Sequence, residues 1–416
     1  MKKILFLTFL IGSLFSEKLY FLSTQLVPVE EAEWFRRNVL SEFKKKNNIE
    51  VIFLGAGYGE FQDRISSEYK AGKGKIDVTA GLSSDYESIS DAFVSLENYL
   101  NKLKNKGTEF ISSLIKYIKI KNKIIYIPWL QSTYIFVCNK KALKYLPEGA
   151  KLDSLTYDEL LLWVKNIYEN EKLRKFGLPG GPRGLIHRFI HGYLYPSFTG
   201  TQILNFDSKE AIKMWKFFKE LWKYANPASS IWEKMDTPLL QEEVWIAWDH
   251  VSRIKRAIIE RPDDFIIFPA PRGIKGRGVM EVIVGLAIPS YSDKKDKSFR
   301  LIEFLLKPYI QKKMIKGTGF FPVIKNVNFG DVKGGIKKIA EGVQKQNSMK
   351  DIIASFIPGG LGKRQGEFTK ILRDVFREII IKNKKPEKLL PSYKNKIMNL
   401  FKETKAPLPV PDKEVK

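Results

Sequence analysis

The chain has 416 residues, 44% of them hydrophobic and 13% aromatic, a composition that excludes a disordered polypeptide and can fill two cores. A single cysteine, Cys138, excludes an intramolecular disulfide. The formal charge of +25 invites nucleic acid or an anionic membrane, yet the lysines are spread along the chain and runs such as Lys44-Lys45-Lys46 fall at predicted helix ends. They read as solvated surface, and no nucleic-acid partner is expected.

Residues 1–16, MKKILFLTFLIGSLFS, join a basic start to an apolar run that is too short to span a bilayer. That is the shape of a secretory signal peptide, so a periplasmic or extracellular location is expected. No cysteine follows it, so no lipid anchor is expected there. Residues 18–24 read as a strand. Pro28 opens a helix over 30–46, with Ala32, Phe35, Val39, Leu40 and Phe43 on one stripe. A second strand, 50–54, runs into Gly55-Ala56-Gly57-Tyr58-Gly59, then a helix to 70 and a strand over 75–80. Strand, helix, strand, helix, strand predicts a parallel α/β sheet.

Residues 122–141, NKIIYIPWLQSTYIFVCNKK, contain two apolar runs, 124–127 and 134–138. Pro128 and Gln131-Ser132-Thr133 separate them, which predicts a crossing between two lobes. Trp129 is expected just past a strand end, facing the gap, where open α/β sheets bind ligands. Thr156-Tyr157-Asp158-Glu159 is a capping box that opens a helix to 168. A Gly/Pro loop, 177–184, leads to the aromatic segment 187–198. Asp207-Ser208-Lys209-Glu210 caps the next helix. Strands are expected over 243–249, 264–268 and 282–288, and helices over 297–307, 367–380 and 393–401. The Pro-rich tail, 406–416, is expected to be disordered.

Several segments, in this order, resemble the extracellular solute-binding proteins of ABC importers, in their carbohydrate-binding branch. They are Ala71-Gly72 through Ile76-Asp77-Val78, Val94-Ser95-Leu96-Glu97-Asn98-Tyr99-Leu100, Lys123-Ile124-Ile125-Tyr126-Ile127-Pro128-Trp129 with Asn139-Lys140, Thr156-Tyr157-Asp158-Glu159-Leu160, and Gly317 through Pro322. Cys138 stands where the family most often has Tyr. The resemblance covers about residues 18–401. It implies an α/β, two-lobed, periplasmic-binding-protein type II-like fold with a hinge and an interlobe ligand cleft. Lobe 1 is expected to comprise 17–132 and 285–325, and lobe 2 to comprise 133–284 and 326–416. The resemblance further implies a monomer that binds a carbohydrate and docks on membrane permease subunits, with no cofactor and no enzymatic activity.

The motifs with catalytic or metal chemistry are weak. Gly55-x-Gly57-x-Gly59 lacks dinucleotide spacing, and Gly360-Leu361-Gly362-Lys363 lacks the rest of a P-loop. Ser113-x-x-Lys116 has no Lys-Thr-Gly after it. His187 and His191 share a helical face but lack the Glu of HExxH, so no metal is expected. What remains is aromatic faces at Tyr58, Trp129 and Trp248 beside carboxylates at Asp85, Asp249 and Glu281. Sugars use this mixture, stacking one face on a ring and donating hydroxyls to carboxylates. At any one position a core tryptophan or a turn aspartate is the alternative. The acids favour a neutral oligosaccharide. Arg183 or Arg272 in the cleft would instead favour an anionic ligand such as a sugar phosphate, and paired carboxylates a glycoside hydrolase.

Overall fold

The computed structural model describes residues 17–115, 118–330 and 332–414. The expected signal peptide lies outside the described residues, as does Lys116. Among the described residues no helix is long and apolar enough to cross a membrane.

A six-stranded sheet runs in the order Phe321–Pro322, Ile127–Ser132, Val282–Ala287, Val78–Leu82, Glu17–Ser23, Ile49–Gly55. Glu17–Ser23 is parallel to both Ile49–Gly55 and Val78–Leu82, as strand–helix–strand units require. Val282–Ala287 returns antiparallel between Val78–Leu82 and Ile127–Ser132, so the sheet is mixed. The helical stripe Ala32, Phe35, Val39, Leu40, Phe43 is buried against this sheet.

Trp129 is not in a gap. It is fully buried, 5.9 Å from the Phe21 ring and 5.5 Å from the Phe35 ring. The strand does not end at Pro128. The ladder to Val282–Ala287 shifts register there, with Leu130 opposite Val284 and Pro128 opposite Gly285. A proline has no N–H to donate, and a bulge tolerates it. Trp129 is the extra residue of that bulge. Gly285 is required on the facing strand: a Cβ there would stand 2.2 Å from the Tyr126 ring.

The second sheet has the order Phe265–Phe268, Tyr134–Asn139, Ile246–His250, Phe176–Gly177. The capping box forms as predicted: Glu159 N–H donates to Thr156 Oγ1 at 3.1 Å, and Thr156 N–H donates to the Glu159 carboxylate at 2.7 Å. Cys138 is a free, buried thiol on the central strand.

Only Thr133 separates the strand Ile127–Ser132 of one lobe from Tyr134–Asn139 of the other. The return crossing is at Glu281, between Arg277–Met280 and Val282–Ala287, rather than after residue 284. The two crossings are bonded together. Gln131 Nε2 donates to Glu281 Oε2 at 2.9 Å, and Thr133 Oγ1 donates to the Met280 carbonyl at 3.3 Å.

The tail is ordered through residue 414, which corrects the expectation of disorder. Val410 and Phe356 pack in the apolar cluster of the first lobe. The Asp412 carboxylate, fully buried, accepts from the backbone N–H groups of Gln202, Ile203 and Leu204 at 2.6, 2.7 and 2.6 Å. Gln202 Nε2 donates to the Val410 carbonyl at 2.7 Å. Composition averages over the tail and misses the one side chain that satisfies three buried donors. Asp412→Ala is expected to cost about 3 kcal/mol of stability, since it strands those donors. A urea midpoint equal to that of the wild type would show that the tail contributes nothing.

Candidate functional site

Parallel strands end at one edge of a sheet. Here that edge carries Thr24, Leu82 with the turn after it, and Tyr58 at the start of the helix Tyr58–Lys70. The register that sets Val284 against Leu82 and Val282 against Ser132 brings Gln131 and Glu281 to the same edge. The structure therefore gathers Tyr58, Asp85 and Glu281 at the interlobe edge of the first lobe.

None of the acids there is free. Asp85 accepts from Thr24 Oγ1 at 2.7 Å and from Leu82 N–H at 2.8 Å, bracing the turn. Burial pushes its carboxyl up to about 6. Glu281 holds Gln131, and burial pushes it up to about 7. Tyr58 is half-buried beside Asp85.

On the second lobe, Trp248 and Asp249 lie on the central strand Ile246–His250, covered on both faces. Trp248 is fully buried and stacks on Tyr134 at 4.9 Å and 5°. Phe189 and Tyr193 close its other sides at 4.9 and 5.2 Å. Asp249 is fully buried on the opposite face, accepting from Met235 N–H at 3.1 Å and His250 N–H at 2.7 Å. Its carboxyl is pushed up to about 8 by burial. Both residues are core, not ligand surface, and this corrects their reading as contacts.

His187 and His191 do lie side by side, ring centroids 6.4 Å apart and 19° from parallel. His191 is engaged on both nitrogens, with Gln202 Oε1 at 2.9 Å and Arg188 Nη1 at 3.3 Å. Among the described residues no cluster of three or more His, Cys, Asp or Glu is arranged to hold a metal. Arg183 pairs with Glu233 at 3.0 Å, and Arg272 with Asp351 at 3.7 Å, so neither is a spare cation. The cations that stand out are Arg188, Arg253 and Arg373. The signal for Arg188 was in the sequence: HRFIH puts an arginine inside an otherwise apolar, aromatic segment.

The lobes meet away from the crossings through Asp63 and Lys363, 2.8 Å apart and both exposed. Gly359 of the second lobe lies against Ser84 and Glu87 of the first, where a Cβ would stand 3.2 and 3.0 Å from them. A recess of about 250 Å³ opens beside this contact, between Ser83, Ser84 and Lys121 on one side and Phe356, Gly359 and Leu408 on the other. Recesses of about 510 and 540 Å³ each lie within a single lobe.

The profile of the bacterial extracellular solute-binding proteins matches residues 38–337. No curated protein sequence matches the chain. Solved structures with the same fold include the sugar-binding protein MalE of Xanthomonas citri, 13% identical with a TM-score of 0.72, covering 93% of this chain and 98% of that one. The maltose-bound MalE3 of T. maritima is 17% identical with a TM-score of 0.69, covering 92% and 99%. UgpB of Mycobacterium tuberculosis, in complex with glycerophosphocholine, is 15% identical with a TM-score of 0.71, covering 93% and 99%. At these identities the likeness establishes the two-lobed fold and leaves the ligand open.

Proposed function

The chain belongs to the bacterial extracellular solute-binding proteins, and from that premise we propose that it captures a carbohydrate-bearing solute between its lobes and delivers it to the membrane permease of an ABC importer. The observation that carries this is the double crossing. Two cores are joined through Ser132-Thr133-Tyr134 and Met280-Glu281-Val282, with the tail from Val410 to Asp412 as a third tie, while the contact of Asp63 with Lys363 is exposed and weak. Such lobes can close on a solute by small changes at the crossings. Structural neighbours carry maltose and glycerophosphocholine. We assign residues 1–16 as the export signal and take the working unit to be a monomer.

The reading needs no covalent chemistry. Asp85 and Asp249 spend their oxygens on a hydroxyl and backbone N–H groups, which leaves the hydrolase alternative without a free acid pair among them. The same burial removes the argument for a neutral oligosaccharide, because the acids that would repel an anion do not face the solute. The ligand surface we propose is the edge at Tyr58, braced from beneath by the buried Asp85 and Glu281 and opposed by the second lobe beside Tyr134.

The test is a thermal-shift screen followed by small-angle scattering. A solute at about a hundredfold excess over Kd adds ~2.7 kcal/mol of stability. It should raise the melting temperature and reduce the radius of gyration. A solute that binds without changing the radius would count against closure. A panel of neutral and charged sugars with no effect at all would count against carbohydrate.

A further inference from the structure

Three arginines of the second lobe converge on the loop 181–184 and the helix that follows it. Arg373 donates to the carbonyls of Gly181 at 3.2 Å and Pro182 at 2.5 Å, and to that of Gly184. Arg253 donates to the carbonyls of Arg183 at 3.0 Å and Glu233 at 2.9 Å. Arg373 commits both Nη groups to the backbone, and Arg253 commits Nη1 to two carbonyls, so both act as staples. Arg188, on the helix Ile186–Phe189 just beyond the loop, is different. Its hydrogen bond is to His191 Nε2, and among the described residues no carboxylate lies within ion-pair range of it.

The surroundings do not supply the missing charge. Glu233 is taken by Arg183, and Asp249 is taken by backbone N–H groups. His187, 4% exposed, has a buried Nδ1 with no hydrogen-bond partner. Burial, then the charge of Arg188, holds His187 well below its usual range, so the ring adds no second positive charge beside Arg188. Tyr134, the first residue past the crossing, lies close enough for the charge of Arg188 to bear on its hydroxyl. Arg188 is half-buried as a residue while its guanidinium is enclosed, so an oxyanion would meet it as the lobes part.

Withdrawing a guanidinium from water without a counter-ion is costly. A structural role would offset that cost with carbonyl acceptors, three for Arg373 and two for Arg253, whereas Arg188 has no carbonyl acceptor among the described residues. We propose that Arg188, beside the crossing, receives an oxyanion of the solute, a phosphate or a carboxylate on a sugar, with Arg253 and Arg373 adding to the positive field and His187 beside it. This rests on the solute-binding reading and narrows its ligand to an anionic sugar. The planar fork of arginine suits either oxyanion.

The experiment compares wild type, Arg188→Gln and Arg188→Lys by calorimetry with inorganic phosphate, glucose 6-phosphate, glucuronate and maltose. The expected result is binding of glucose 6-phosphate or glucuronate by the wild type, weakened at least about tenfold in Arg188→Gln and less in Arg188→Lys. The melting temperature of ligand-free Arg188→Gln should equal or exceed that of the wild type, since an unpaired buried charge has been removed. A folded Arg188→Gln that binds the anions as well as the wild type overturns the proposal, as does a wild type that ignores all three anions. Maltose binding without anion binding overturns this site and leaves the sugar-carrier reading standing. Binding of inorganic phosphate lost in Arg188→Gln, with no sugar bound, supports the site and counts against carbohydrate.

Discussion

Trp248→Ala is expected to destabilise the protein by about 3–5 kcal/mol, and Trp129→Ala by a similar amount. Each ring is fully buried among other aromatic side chains, Trp248 with Tyr134, Phe189 and Tyr193, and Trp129 with Phe21 and Phe35. Truncation leaves a cavity that close-packed neighbours fill only in part. The loss is a large fraction of a typical domain's total stability, ~5–15 kcal/mol. Urea denaturation followed by circular dichroism measures it. A variant that melts like the wild type but no longer binds its sugar would return that tryptophan to the ligand surface.

Stability is expected to peak between about pH 4 and 6.5 and to fall towards pH 8. Burial raises Asp249 from an ordinary 3.8 to about 8, and Glu281 from 4.5 to about 7. In the unfolded chain these acids ionise near pH 4, while in the fold they stay protonated. The unfolded state then binds fewer protons, so stability declines as pH rises from about 4 to the folded values. For Asp249, which is fully buried, the whole swing is on the order of 3–6 kcal/mol. The imidazoles oppose this at lower pH. Burial holds His191 and His250 at about 3, and His187 well below 6.5. Their unfolded forms take up protons below about 6.5, so stability is lost as pH falls from there. Urea midpoints at pH 5, 6.5 and 8 test the profile. Asp249→Asn should flatten the alkaline limb, whatever it does to absolute stability. A limb of unchanged slope would show that Asp249 is ionised in the fold at neutral pH.

The alternation of strands and helices, the capping box at Thr156 and the crossing before Tyr134 were legible because each depends on local chemistry. Trp129 was misplaced because Pro128 reads as a strand end when it is the site of a bulge. A bulge depends on the partner strand, here at Gly285, which lies more than 150 residues away in the sequence. Trp248 and Asp249 were misplaced for a related reason. A strand ending in an aromatic and an acid looks like a site edge, but this strand is central in its sheet and buried on both faces. The arginines named from the sequence sat in Gly/Pro loops, and such loops lie at the surface, where Glu233 and Asp351 pair with them. Arg188 was passed over because charge within an apolar run reads as noise until its missing partner is seen.

The tail sets an order of events. Asp412 meets the N–H groups of residues 202–204 across 208–210 residues of sequence. At about 5–20 residues per second, a ribosome takes roughly 10–40 s to cover that distance. Both sheets are complete in sequence only once Pro322 has been made, about ninety residues before Asp412, and until Asp412 follows nothing ties the second lobe to Val410 in the first. The helices through Thr404 complete the second core, and the strap of Val410 and Asp412 comes after them in the chain and ties the two halves together. Fusions appended after the tail leave that lock in place, whereas chains trimmed before Val410 retain the halves and lose it.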